Sequence, residues 1–397
     1  RDRSPSRGLG DVYKRQIYIS LQKDGILFKM RRTQDLPDKE SATMFFQDCK
    51  LAHQAQITGI SHSVKEILPP DLLDLTQLQK EANIRYGFTA SEVYDIAQSL
   101  YEKKLISYPR TSSRYLTEDV FDSLPPIMAC LLSWELFPAA KGTGGIDISN
   151  LSRHVISAEK ANVHHAIIIT GIRPGNLSEK EMQVYRLVAG RMLETFMAPC
   201  RIETTNVEAV CAAQHFKAEQ TRIIEAGWHD VFMRYDMIPT SGYSVKELPE
   251  VEKGDTLNVC GCNMVHKKEL PVDPFTDAEL VEYMELNGLG TVSSRTNIIR
   301  TLVNRKYIRY SGKYIVPTPK GMFTYETIRG KKIADTSLTA DWEKQLAGLE
   351  SGMITGQDFL NRIRTLAKEM TDDIFNTYST NCLLYTSPSP RDGLLSR

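Results

Sequence analysis

Leu105-Ile106-Ser107-Tyr108-Pro109-Arg110-Thr111-Ser112-Ser113-Arg114-Tyr115-Leu116 follows an amphipathic helix whose Val93, Ile96, Ala97 and Leu100 share one face. It sets a tyrosine two residues ahead of an arginine. A phenol ordinarily ionises near a pKa of about 10 and becomes a nucleophile only where something lowers that value. An arginine at this spacing can grip a phosphodiester while its charge favours the phenolate. The pairing points to phosphotyrosine chemistry on a nucleic-acid backbone, although a tyrosine beside a proline at a helix end is, taken alone, more often a half-buried anchor.

Working outward, the 397 residues, 41% hydrophobic and 25% charged, suit about two to four domains with real cores. No run approaches the roughly 18 apolar residues of a membrane span, and no charged-then-apolar leader is present, so a cytoplasmic protein is expected. Seven cysteines at 49, 130, 200, 211, 260, 262 and 382 lack the paired Cys-x-x-Cys spacing of a zinc site, and free thiols are expected.

The two ends read as foreign. Gly10 to Gln16 and Cys382 to Pro388 are encodable by the two strands of one nucleotide string that resembles a transposon end used in sequencing libraries. Residues 1–16 and 382–397 are therefore expected to be adapter-derived. Without them, residues 17–381 hold 42 Lys and Arg against 46 Asp and Glu. Bulk charge announces no nucleic-acid partner, so binding has to come from a local basic groove.

Alternation in Ile17-Tyr18-Ile19-Ser20-Leu21 and in Ala55 to Ile60 favours strands over parts of residues 17–67, and Pro69-Pro70 marks a boundary. Asp74 or Thr76 can cap a helix over Gln77 to Tyr86 with Gly87 closing it, and Thr89-x-x-Glu92 is a capping box for the next helix. A mobile loop is expected at Gly142-Thr143-Gly144-Gly145, and Ser178-x-x-Glu181 opens a helix ending by Pro199. From Glu203 to Val265 short strands are expected, with turns at Thr240-Ser241-Gly242 and Lys253-Gly254-Asp255, forming one discontinuous sheet with residues 17–67. Thr276-x-x-Glu279 opens a helix ending near Gly288, Ser293 can cap Ser294 to Asn304, and Tyr307 to Val316 reads as a hairpin turning at Ser311-Gly312. Two helices and a hairpin form a winged-helix pattern. Pro319-Lys320-Gly321 and Leu338 to Lys344 lead into a helical end.

The segment from Leu105 to Leu116 closely resembles the active-site signature of type IA DNA topoisomerases, especially the topoisomerase III branch, whose motif runs Tyr-Pro-Arg-Thr-Asp-Ser-Arg; Ser112 stands here where that pattern has aspartate. Three further stretches resemble the same family in order. Asp74 to Asn83 is similar to the start of its tyrosine domain. Val163-His164-His165-Ala166-Ile167-Ile168-Ile169-Thr170 resembles Asp-His-His-Ala-Ile-Ile-Pro-Thr, with Val163 replacing aspartate. Gly288-Leu289-Gly290-Thr291-Val292-Ser293-Ser294-Arg295 resembles Gly-Ile-Gly-Thr-Pro-Ala-Thr-Arg.

The resemblance implies a multidomain mixed α and β protein of toroidal architecture, with helix-turn-helix or winged-helix-like domains and a discontinuous β arch. Its boundaries are expected at 17–73 for the first part of the arch, 74–200 for the tyrosine-bearing domain, 201–271 for the returning arch and 272–381 for a helical DNA-binding domain. It further implies that Tyr108 attacks a single-stranded phosphodiester to give a 5′-phosphotyrosine, so that resealing needs no ATP. Arg110 would hold the phosphate bidentately and His164 would donate to it or position it. Thr111, Ser112, Arg114, His165, Gly290, Thr291, Ser293, Arg295 and Arg305 are implied DNA contacts, the glycines by letting backbone approach a phosphate at a helix start.

In that family magnesium is held by an Asp-x-Asp-x-Glu cluster of an N-terminal Toprim domain, and no Asp-x-Asp occurs anywhere here. A fragment lacking that domain, without a metal of its own and with DNA binding but little cleavage, is expected. A monomer acting on single-stranded DNA away from membranes follows from the same likeness. Two other readings remain: a mobile-element tyrosine relaxase, which needs histidines flanking one hydrophobic residue where His164 and His165 are adjacent, and a non-catalytic winged-helix DNA-binding protein in which Tyr108 is structural.

Overall fold

A computed structural model describes residues 13–36, 38–134, 136–137, 146–161, 164–233, 241–268, 273–350 and 352–381. The chain divides into two compact units, one of Arg1–Asp74, Ser99–Pro109 and Ser113–Asp273, the other of Leu75–Gln98, Arg110–Ser112 and Pro274–Arg397. This division departs from the expected one, because residues 75–98 group with the C-terminal residues. Side-chain bonds show why: Gln79 Nε2 donates to the Ala90 carbonyl at 2.9 Å and to Thr296 Oγ1 at 3.0 Å, and Lys80 pairs with Glu282 at 2.6 Å.

In the first unit, β1 (Tyr13–Lys23), β2 (Ile26–Arg32), β3 (Gln54–Ile67), β4 (Cys200–Cys211), β5 (Gln214–Glu225) and β6 (Thr256–Lys268) close into a barrel in the order β1-β2-β5-β4-β3-β6. Every pairing is antiparallel. The two β segments expected to share a sheet do so. Ile17, Ile19 and Leu21 are fully buried at every second position, as a strand with one buried face requires, and they meet Phe28, Met30, Ile57, Val207 and Phe216 in one core.

Three details differ from expectation. Residues 13–16, set aside as adapter-derived, extend β1 and pair from Tyr13↔Lys268 to Gln16↔Val265, since a ladder uses the backbone of any residue that carries an N–H and a carbonyl. Residues 39–51, for which no element was expected, form a helix, Lys39–Leu51; Asp38 caps it by accepting from the Glu40 and Ser41 amides, and it buries Cys49 in the barrel core. The strands from Cys200 onward are long, and β4 turns into β5 at Ala212-Ala213 with φ of 48° and 59°. Alanine disfavours that left-handed region, so residue type did not mark the turn. By contrast Asp24-Gly25, with φ of 50° and 82°, is the pair that a two-residue hairpin favours. Residues 1–12, Thr240, the Gly142–Gly145 stretch, Val163 and residues 382–397 lie outside the described residues.

Ser178 and Glu181 form the expected capping box of helix Glu179–Phe196, which is buried over most of its length. Glu181 also accepts from Lys103 Nζ at 2.6 Å and Ser99 Oγ at 2.7 Å, tying this helix to the segment that leads into Tyr108. These donors, Lys103 first, hold its carboxyl at about 2 against an ordinary 4.5. Deeper in the helix, fully buried Glu194 pairs with Arg191 at 2.9 Å, and Arg191 Nη1 reaches the Asp71 carbonyl at 3.3 Å.

The second unit contains helix Leu75–Tyr86, helix Ala90–Glu102 as far as Gln98, helices Asp277–Leu286 and Val292–Asn304, and the hairpin of β7 (Ile308–Ser311) and β8 (Tyr314–Pro317). Gly87 takes φ of 70° after the first helix, and Thr89 and Glu92 form the expected box, with Thr89 N–H donating to Glu92 at 2.9 Å. Thr276 and Glu279 box the third helix. Its Asp277, 2% exposed, accepts from the Ala90 amide and, at 3.0 Å, from the Tyr310 hydroxyl; burial pushes the carboxyl up. Ala90, Val281, Met284, Ile299 and Ile315 form the core, and helices Pro319–Ile328, Thr336–Glu350 and Gly356–Asn381 follow. Among the described residues no helix is long and apolar enough to cross a membrane.

Two consequences are measurable. Since Glu181 ionises at a lower pH folded than unfolded, its contribution is complete above about pH 4.5 and is lost as pH falls toward 2. Urea melts across that window should show Glu181→Gln flatter than the wild type. Asp277→Ala leaves the Ala90 amide and the Tyr310 hydroxyl without their acceptor, and a loss of about 1–3 kcal/mol is expected, read as a lower urea midpoint.

Candidate functional site

Tyr108 is positioned by a lattice of hydrogen bonds between the two motif segments of the first unit. Lys104 takes φ of 60° just after helix Ala90–Glu102, turning the chain into an extended stretch. Ser107 N–H donates to the Ile168 carbonyl at 2.8 Å, and its hydroxyl donates to the Ala166 carbonyl at 3.1 Å while accepting from the Ile168 amide at 3.0 Å. Thr170 N–H donates to the Leu105 carbonyl at 3.1 Å, Ile167 N–H to the Leu73 carbonyl at 2.8 Å and Ala166 N–H to the Tyr115 carbonyl at 2.9 Å. Ala166, Ile167, Ile168 and Ile169 are buried, so the hydrophobic run of this motif anchors it while His164 at its head stays exposed.

The consequence is an aromatic cluster. The half-buried Tyr108 ring lies 4.5 Å from the His164 ring at 47°, and the Tyr101 ring meets it edge-on at 5.4 Å and 77°. Nothing among the described residues hydrogen-bonds the Tyr108 hydroxyl. Two of the residues expected to act together, Tyr108 and His164, are thus side by side. Tyr101 and Ser107 were not singled out in the sequence, although Tyr101 lies seven residues before Tyr108 and its exposed aromatic ring at the end of an amphipathic helix was a visible signal.

Arg110 belongs to the second unit, two residues along the chain from Tyr108. Its Nη2 donates to Gln98 Oε1 at 3.2 Å, its guanidinium lies 5.1 Å over the Tyr94 ring, and its buried Nε has no hydrogen-bond partner among the described residues. Gln98 and Tyr94 thereby fix the plane of the guanidinium from helix Ala90–Glu102 and leave Nη1 uncommitted among the described residues.

In the same unit, Gly288 and Gly290 take φ of 65° and 70° ahead of helix Val292–Asn304. A side chain at 290 would also press within 2.9 Å of Ser294 Oγ. Thr291, not Ser293, is the helix cap: its amide donates to Ser294 Oγ at 2.8 Å, and Ser293 sits in the first turn with its hydroxyl 3.2 Å from that of Thr291. Thr291, Ser293 and Arg305 are exposed and available to a ligand.

Two expected DNA contacts are buried. Arg295 is 8% exposed and pairs with Glu285 at 3.3 Å, and Thr111 is 4% exposed with its carbonyl accepting from Leu75 N–H at 3.1 Å. In both, the neighbouring chain needs the polar group more than solvent does. Arg114 is partly exposed, with its Nε held at 2.7 Å by the buried Asp74. Ser112 is exposed, and His165 places Nδ1 2.7 Å from the Ala166 carbonyl.

The six cysteines at 49, 130, 200, 211, 260 and 262 are free. Among the described residues no three His, Cys, Asp or Glu side chains come together as a cation site.

Residues 13–361 match the family described as DNA topoisomerase. DNA topoisomerase 3 of Bacillus licheniformis is 31% identical over 344 residues, covering 81% of this chain and 47% of that protein. DNA topoisomerase 3 of Bacillus subtilis is 30% identical over 355 residues, covering 82% and 48%. The chain spans about half the length of these curated relatives. Full-length topoisomerase I from Thermotoga maritima shares the fold, with a TM-score of 0.69 at 22% identity over 90% of this chain and 59% of that one. The chain belongs to the DNA topoisomerase family, as a type IA, topoisomerase III-like member.

Proposed function

We propose that this chain is the tyrosine-bearing part of an enzyme that cleaves and reseals one DNA strand to pass another through the gap. The observation that carries the reading is the Tyr108 hydroxyl, free of hydrogen bonds among the described residues on a ring in contact with both Tyr101 and His164. A buried tyrosine kept as a structural anchor usually satisfies its hydroxyl within the fold. Among the described residues Tyr108 does not.

The chemistry follows from those groups. Tyr108 Oη attacks the phosphorus, an Oη–P bond forms as the P–O3′ bond breaks, the phenolic proton leaves and the departing 3′ oxygen takes one up. The 5′-phosphotyrosine conserves the bond energy, so the 3′ hydroxyl reseals the strand by the reverse attack without ATP. Arg110, its plane fixed by Gln98 and Tyr94, supplies charge to the phosphate oxygens as they gain it, and His164 positions the phosphate beside the tyrosine. Thr291, Ser293, the backbone at Gly290 and Arg305 take phosphates of single-stranded DNA. Ser112 and Val163 supply no carboxylate to orient Arg110 or His164, so the interactions of Gln98 and Tyr94 stand in at the arginine. Magnesium is assigned to a Toprim domain of a longer parent, a monomer working in the bacterial cytoplasm.

The test joins this chain to a Toprim domain of a type IA relative and incubates it with magnesium and end-labelled single-stranded oligonucleotides. A covalent adduct at the 5′ end of the cleaved downstream fragment is expected for the wild type and none for Tyr108→Phe. Arg110→Ala should retain DNA binding within a few-fold while adduct formation drops at least about tenfold, the loss of one charge-assisted contact to the phosphate. A 3′ adduct, or one that survives Tyr108→Phe, sinks the reading.

A further inference from the structure

The second unit contains a cavity of about 170 Å³ that the reaction at Tyr108 does not use. Helix Val292–Asn304 forms one wall with Ile299, Arg300, Val303 and Asn304; the start of helix Ala90–Glu102 forms another with Ser91; and the Tyr310 ring of β7 forms the third. Its volume lies below the roughly 300–1,000 Å³ of sites for whole small molecules. It has room for one ring system and not for a nucleotide with its sugar.

The walls are set rather than free to swing. Tyr310 is tethered through its hydroxyl to Asp277 at 3.0 Å. The Arg300 guanidinium is pinned by Nε to Ser91 Oγ at 2.8 Å, by Nη2 to the same oxygen and by Nη2 to Asp95 at 2.8 Å, which leaves Nη1 unbonded among the described residues. Asp95 is thereby paired with the Arg300 guanidinium. Exposed Asn304 has no side-chain hydrogen bond among the described residues, so its amide offers one donor and one acceptor at the rim. An aromatic wall, a planar cation held flat, aliphatic side chains and a free carboxamide are the groups that hold an unstacked base. Asn pairs with the N6 and N7 atoms of adenine in a bidentate fashion.

We propose that this cavity takes one unstacked base of the bound single strand, adenine in preference to the others, with Tyr310 and the Val303 and Ile299 side chains against its faces, Asn304 on its edge and Arg300 Nη1 on the adjoining phosphate. The proposal rests on the DNA reading above and adds to it a base-reading position away from the nucleophile. Arg305, next to Asn304 at the end of the same helix, continues the phosphate path.

The test is fluorescence anisotropy of the full chain with single-stranded oligonucleotides in which one abasic site is moved position by position, and with A, C, G or T at the sensitive position. One abasic position should weaken wild-type binding about 5- to 150-fold, the range that stacking of one base gives. Val303→Phe, which fills the cavity, should abolish that position dependence while overall binding to the abasic strands stays within a few-fold. Asn304→Ala, on the exposed rim, should keep the abasic effect and lose the preference for adenine; it carries the test should Val303→Phe melt early. Uniform tolerance of abasic sites in the wild type, or position dependence and adenine preference that survive in both variants, overturns the inference and leaves the DNA reading standing. Failure of the wild type to bind any single strand overturns both.

Discussion

The pairing of Ile67 with Cys200, at the end of the long β3–β4 ladder, is the constraint on which the first unit depends. It brings together two points separated by the whole excursion from residue 68 to residue 199 and makes the chain leave the barrel and return to it at one place. Trp228 reinforces this end by donating its indole N–H to the Ile67 carbonyl at 3.0 Å and packing against Ile202. Closure of the barrel leaves no free sheet edge in this order of strands, so the core of Ile17, Ile19, Met30, Ile57 and Phe216 is shielded all round. Loop closure over so long a stretch is entropically costly, and the length of the ladder is what offsets it.

Within that excursion Tyr108 is held by backbone and hydroxyl bonds rather than, among the described residues, by a partner for its own oxygen. Ser107 fastens the segment of Tyr108 to the buried 166–169 run, and Glu181 fastens the end of the preceding helix through Ser99 and Lys103. A ring so placed keeps its geometry while its hydroxyl remains available. Arg110 follows a similar rule in the second unit, where Gln98 and Tyr94 orient the guanidinium but occupy only part of it.

Some of this was legible in residue types. The capping boxes at Thr89, Ser178 and Thr276 formed as written, because a hydroxyl and a carboxylate three residues apart satisfy local donors whatever surrounds them. The hairpin at Ser311-Gly312 formed too, its glycine at φ of 59°. The turn at Ala212-Ala213 did not announce itself, since the ladder between β4 and β5 imposes a conformation that alanine does not choose. Helix Lys39–Leu51 was likewise invisible among strand signals, its place being set by burial of Cys49 against the barrel. Arg295 and Thr111 illustrate the opposite limit: a motif names the residue, but whether its side chain faces a ligand or a neighbouring carboxylate depends on packing.

By itself the sequence determined the family, the tyrosine two residues before an arginine, and the local starts and stops of helices, because each depends on residues within a few positions of one another. Only the tertiary structure decided that His164 and Tyr101 flank the Tyr108 ring, that residues 75–98 join the C-terminal unit, and that a small cavity opens beside Asn304. Those outcomes rest on contacts between segments far apart in the chain, such as Gln79 with Thr296 and Ser107 with Ala166, whose partners no local pattern specifies.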